Sequence, residues 1–260
     1  MTDPYRHKFT PVQRSQRRGI YLLPNLFTSA ALFGGFFAIV QAMNGRFELA
    51  AVAIFVAMVL DGLDGRVARL THTQSAFGAE YDSLSDMVSF GVAPALIAYV
   101  WALRGLGKLG WVASFVYCVG AALRLARFNT QLEVADKRYF QGLPSPAAAA
   151  LIAGLVWVMT EYGVDGAKVR WLAFVVTLFA GLTMVSNIRY YSGKDINLRR
   201  SVPFMVVFLI AMSFVLIAYS PPEMLFTAVA LYALSGYVMA GWSFVRGVRA
   251  KPHPIANKGE

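Results

Sequence analysis

The chain has 260 residues, of which 57% are hydrophobic and 15% charged, with a mean hydropathy of +0.53 and a formal net charge of +10. Soluble domains are about 45–50% apolar and about 25% charged, so this composition excludes an ordinary soluble enzyme and describes an all-α integral membrane protein. The basic excess has no soluble domain to sit on, which excludes a nucleic-acid binder and makes membrane lipid its partner.

The chain opens on a basic tail, residues 1–20, where Arg14, Arg17 and Arg18 read as an orientation signal. The apolar run that follows lacks an A-x-A-like cleavage site and reads as a retained first helix. About 20 apolar residues cross a bilayer as a helix. Runs at 21–43, 48–69, 82–103, 109–129, 145–163, 169–189, 202–220 and 223–245 therefore predict a polytopic bundle of about eight transmembrane helices. Residues 21–245 form one transmembrane domain with short connections, and residues 246–260 a second tail. Trp101, Trp111 and Trp242 fall near span ends, as interface anchors do. The single cysteine, Cys118, excludes an intrachain disulfide and a Cys/His metal cluster.

Orientation follows from the basic residues. Of 24 Lys and Arg, all but Arg46, Arg104, Lys108, Lys168 and Arg170 fall on the side of the N-terminal tail. That places both termini and the 61–82 connection in the cytoplasm, at the cell (inner) membrane.

The 61–86 stretch, DGLDGRVARLTHTQSAFGAEYDSLSD, puts four acids at the mouths of two apolar runs. Asp61 and Asp64 are three apart, and Asp82 and Asp86 four apart, so each pair shares one helix face. If the two helices are antiparallel neighbours, all four carboxylates meet near the cytoplasmic surface, where they repel unless a cation sits among them. An oxygen-only set selects a hard divalent ion such as Mg²⁺, Mn²⁺ or Ca²⁺. Gly62, Gly65 and Gly78 leave bare backbone beside the acids, and Arg69 and Ser75 offer donors to phosphate oxygens. A cation transporter would instead spread its acids across the bilayer; these cluster at one face.

The pattern Asp61-x2-Asp64-Gly65-x2-Ala68-Arg69-x8-Gly78-x3-Asp82-x3-Asp86 resembles the signature of the CDP-alcohol phosphotransferases, with every fixed position filled. LPNLFTS in the first helix, ARFN at 126–129, FQGLPSPAAA at 140–149 and MVSNIRYYSGKD at 184–195 resemble the bacterial serine-using branch of that family. The resemblance implies the family's helical fold and transfer of a phosphatidyl group from CDP-diacylglycerol to L-serine, with release of CMP. It implies two divalent ions on Asp61, Asp64 and Asp82, with Asp61 and Asp82 bridging, and Asp86 as general base near the second ion. Asn25, Thr28, Gly65, Arg69, Ser75 and Gly78 match positions that contact the CDP-lipid, and the family is commonly homodimeric.

Acceptor recognition is less explicit in the sequence. Serine carries a carboxylate, which suits an arginine fork. Arg124, Arg127 and Arg189 are candidates, with Asn129, Ser186 and Asn187 nearby; Arg127, Asn129, Asn187 and Arg189 form the favoured set. Choline would ask for an aromatic cage, for which Tyr190 and Tyr191 are available, and glycerol 3-phosphate or inositol for other pockets.

Overall fold

The computed structural model describes residues 22–71, 73–131, 139–192 and 204–245. The two tails, with Arg14, Arg17 and Arg18, lie outside the described residues, as do Lys137, Arg138, Lys194, Arg199 and Arg200 in the connections.

Helix α1 (Leu22–Met43) turns back at Gly45, whose φ of +73° suits glycine, into α2 (Phe47–Leu70). Helix α3 (Ala76–Asp86) runs through a π-helical turn, Met87–Val92, into α4 (Ala93–Trp101), which makes one rod from Ala76 to Trp101. Next come α5 (Lys108–Gln131), a short strand β1 (Tyr139–Gln141), α6 (Ser145–Glu161) and α7 (Arg170–Val185). Strand β2 (Arg189–Tyr191), α8 (Phe204–Tyr219) and α9 (Pro221–Val245) complete the order.

Among the described residues, four helices are long and apolar enough to cross a membrane: Leu23–Met43, Ala76–Trp101, Lys108–Thr130 and Pro221–Trp242. Helices α6, α7 and α8 are apolar but only 16 or 17 residues long. Helix α2 has 24 residues but ends in its aspartates and arginines. The chain is an all-α membrane protein with several passes.

Two boundaries differ from the hydropathy reading. The third rod starts at Ala76 rather than 82, because the Ser75 hydroxyl accepts the Gly78 amide at 3.0 Å and caps a helix whose Glu80, Asp82, Ser83, Ser85 and Asp86 keep it from reading as an apolar run. The sixth rod ends at Val185 rather than 189, because Ser186 turns extended (ψ 163°). Residues 189–191 instead pair antiparallel with 139–141, in the register Phe140↔Tyr190, a strand pair the helical reading did not foresee. Tyr190 is the inward residue of this pair and donates its hydroxyl to the Ala233 carbonyl of α9 at 2.8 Å.

Helix α6 lies at the centre, against α2, α4, α7 and α9. Every residue from Ala148 to Val156 is buried. The alanines and glycine of this stretch let neighbouring backbones come close, which is how helices associate where lipid is as apolar as leucine. The same device joins α1 to α2 and to the acidic rod: a Cβ on Gly34 would sit 3.0 Å from the Ala57 Cβ, and one on Gly35 would sit 2.5 Å from Ser89 Oγ. These close crossings bring the N-terminal end of α1, the C-terminal end of α2 and helix α3 together.

Candidate active site

The last turns of α2 carry Asp61 and Asp64, and α3 carries Asp82 and Asp86 on the facing side. Carboxylate oxygens of Asp61, Asp64 and Asp82 all lie within 4.8 Å of one another. Asp61 and Asp86 approach to hydrogen-bonding range, as do Asp64 and Asp82. The cluster foreseen from sequence is therefore assembled by two antiparallel helix ends, with Asp86 entering it beside Asp61.

Helix α1 braces this arrangement. The Thr28 hydroxyl donates to Asp64 Oδ2 at 2.7 Å, and Asp64 is only 5% exposed. The Thr28 carbonyl in turn accepts the Ser85 hydroxyl at 3.1 Å, so one residue of α1 holds both acidic helices. Replacing Thr28 by Val should leave the fold intact and raise the divalent-ion concentration for half-maximal activity about tenfold, the usual cost of losing a group that orients a metal ligand. A metal titration of the variant checks this.

Charge and hydrogen bonding both ask for a cation. Arg69 lies in electrostatic reach of Asp64, and Arg124 of α5 in reach of Asp61 and Asp86, so two guanidinium groups face four carboxylates. Asp82 Oδ1 and Asp86 Oδ1 are buried and have no hydrogen-bond partner. An orphaned buried carboxylate oxygen costs several kcal/mol unless a charge reaches it. The 4.8 Å spread is roughly twice a hard-metal–oxygen distance of about 2.1–2.5 Å, which suits carboxylates surrounding one ion. The residues present fit a divalent metal.

Around the acids the backbone is bare where the sequence suggested it. A Cβ on Gly62 would meet nothing within 4 Å, and one on Gly65 only Arg69 Nη1 at 3.6 Å, so the end of α2 faces open space. Gly78 differs, for a Cβ there would sit 3.1 Å from Ser75 Oγ and 3.5 Å from Asn25 Oδ1, so its bare backbone lets α1 approach α3. Ser75 serves as the helix cap described above, with its hydroxyl proton still available.

The candidates for acceptor binding separate. Asn129 donates to Ser83 Oγ at 2.9 Å, which ties α5 to the acidic helix between Asp82 and Asp86. Arg127 Nη1 reaches the Ser186 carbonyl at 3.4 Å, Asn187 accepts from Gln141 at 2.8 Å, and Arg189 is exposed on β2. Arg124 is the arginine of α5 turned to the acids, held by Ser145 Oγ at 2.7 Å and lying 5.5 Å over the Phe128 ring. Tyr232 of α9 stands in its field. Sequence reasoning missed Tyr232 and Ser145, since a lone tyrosine in an apolar helix and a serine beside prolines carry no motif signal. Tyr190 is fully buried against Tyr232 and Gly236, and burial pushes its phenol above the usual range; it cannot form a wall of a cation cage.

Residues 21–185 match the CDP-alcohol phosphatidyltransferase family. The chain is 39% identical over 228 residues to a CDP-diacylglycerol–serine O-phosphatidyltransferase of Helicobacter pylori, which covers 87% of this chain and 93% of the relative. It is 33% identical over 196 residues to one of Methanocaldococcus jannaschii (75% and 83% covered), and 42% identical over 171 residues to one of Mycobacterium bovis (62% and 59%). The matched segment begins at the helix that carries Thr28 and contains all four acids and Arg124, so the assembly built by α1, α2, α3 and α5 lies wholly inside it. The chain belongs to the CDP-alcohol phosphatidyltransferase family.

Proposed function

We propose that this enzyme transfers the phosphatidyl group of CDP-diacylglycerol to L-serine, forming phosphatidylserine and releasing CMP. The observation that carries the reading is the four-acid cluster beside the bare backbone of Gly62 and Gly65. Its relatives' names and near-full-length likeness support serine as acceptor.

Asp61, Asp64 and Asp82 hold the metal, with Asp86 at its edge; two Mg²⁺ or Mn²⁺ ions, with Ca²⁺ as a substitute, are the reading favoured by the acid count. Bound metal supplies positive charge to the diphosphate and to the CMP that leaves. Asn25, Thr28, Gly65, Arg69, Ser75 and Gly78 line the side where the CDP-lipid enters, and Arg69 donates to its phosphate oxygens. The serine hydroxyl attacks the β-phosphorus while Asp86 takes its proton; the bond from that phosphorus to the CMP oxygen breaks, and CMP departs with the electron pair. Arg124 faces Asp86 and Asp61 with its fork and anchors the serine carboxylate, with Asn129 and Ser83 beside it. Arg127, Asn187 and Arg189 are further acceptor-side residues, the two arginines adding positive charge that favours an anionic acceptor.

The site opens to the cytoplasmic face of the cell membrane, with both chain ends on that side, and the protein acts as a homodimer. Purified enzyme given CDP-diacylglycerol and Mg²⁺ or Mn²⁺ should release CMP with serine and far less with choline, glycerol 3-phosphate or inositol. Release driven by one of these others alone would move the acceptor assignment and leave the reaction class standing.

A further inference from the structure

Pro94 stands in the third rod, four residues after Phe90. A proline at that spacing offers no N–H to the Phe90 carbonyl, and its ring crowds that oxygen. The chain accommodates it with the π-helical turn Met87–Val92, in which the Ala93 amide reaches back five residues to the Val88 carbonyl. The Phe90 carbonyl accepts the hydroxyl of Tyr117, from α5, at 2.9 Å. Tyr117 is fully buried and backed by α7, since a Cβ on Gly181 would sit 2.8 Å from its Cα. From the opposite flank, Ser85 and Ser89 donate to the Thr28 and Ala31 carbonyls of α1 at 3.1 and 3.0 Å. The rod is thus gripped from two sides at a turn that begins one residue after Asp86.

A π-helical turn inserts a residue into the helix and re-phases what precedes it, by roughly 100° relative to an unbroken α-helix. Everything N-terminal to the turn is the acid-bearing segment. We propose that Tyr117 is a positioning residue: its hydroxyl, on the Phe90 carbonyl that Pro94 leaves without a donor, sets the rotation at which Asp82 and Asp86 meet Asp61 and Asp64. The proposal rests on the reading of these acids as the metal-holding, proton-accepting cluster.

The test compares Tyr117→Phe and Pro94→Ala with Ser114→Ala, whose hydroxyl bonds only within α5 to the Gly110 carbonyl at 3.1 Å. Three quantities are read on the full chain in detergent: kcat, thermal midpoint, and affinity for Mn²⁺ alone by electron paramagnetic resonance. Tyr117→Phe keeps the ring and its packing; kcat should fall about tenfold, as for a small misplacement of reacting groups, and Mn²⁺ should bind several-fold more weakly, with both KM values and the thermal midpoint unchanged. Pro94→Ala removes the block to regular helix, so the midpoint should hold or rise while kcat and Mn²⁺ affinity fall. Ser114→Ala should match the parent in all three. Parent-like kcat and Mn²⁺ affinity in both variants would overturn the proposal, as would a Tyr117→Phe loss that merely tracks a lowered midpoint while Pro94→Ala stays fully active. Asp86→Asn measured alongside separates the two readings: its turnover tests the proton acceptor, whereas Mn²⁺ binding by the Tyr117 and Pro94 variants reports the rotation by itself.

Discussion

Asp86→Asn should lower kcat on the order of 10³–10⁴-fold, the upper part of the range for losing a positioned general base, while CDP-diacylglycerol still binds. The serine hydroxyl is a weak nucleophile unless its proton has somewhere to go. Of the four acids, Asp86 is the one placed at the edge of the triad rather than within it, and one of its oxygens is buried without a partner. Asparagine keeps the shape and removes the capacity to accept the proton. The distinguishing measurement is the pair of CDP-lipid affinity and single-turnover rate. Intact affinity with a collapsed rate assigns the proton transfer to Asp86. Collapse of both would make Asp86 a metal ligand first, since losing the ion removes the diphosphate's main anchor. Near-normal turnover would end the assignment.

How far the sequence alone reaches follows from the range of the forces involved. The acids at 61, 64, 82 and 86 were legible because their spacing lies within single helices, where three- and four-residue steps fix a common face. Their meeting across helices was legible as a condition, because the short stretch read between the runs 48–69 and 82–103 makes the two helices antiparallel neighbours; the observed connection, from Leu70 to Ala76, is shorter still. Thr28 could be matched by resemblance, but its hydrogen bond to Asp64, 36 residues away, depends on how α1 crosses α2. That crossing is set by Gly34 against Ala57, which no hydropathy pattern records. The start of α3 was missed because the acids and serines of Glu80–Asp86 break the apolar run before its capped first turn, and the strand pair because three residues are too few for a period-two signal. The acceptor arginine was the least legible. Arg124, Arg127 and Arg189 look alike in the chain, and only side-chain direction separates them: Arg124 toward the acids, Arg127 toward the end of α7, Arg189 outward on β2.

That direction leads to the second large effect. Arg124→Gln should raise the serine KM about 10- to 100-fold, the worth of a charge-assisted bond to a carboxylate, with kcat much less affected because the carboxylate is held equally in ground and transition states. A rival account makes Arg124 only a counter-charge for Asp61 and Asp86. Metal affinity moves the same way under both accounts, and the serine KM separates them. Removing one positive charge beside four acids leaves the cluster more negative, so divalent ions should bind Arg124→Gln at least as tightly as the parent. If neutralisation were its whole role, metal affinity would rise while the serine KM stayed put. Arg124→Lys sharpens the contrast, since lysine keeps the charge but loses the planar fork and the flat contact with Phe128. Its metal affinity should match the parent, and its serine KM should rise nearly as far as in Arg124→Gln. An unchanged KM in the lysine variant alone would show that charge at this position suffices, and an unchanged KM in both variants would return the carboxylate anchor to Asn129, Arg127 or Arg189.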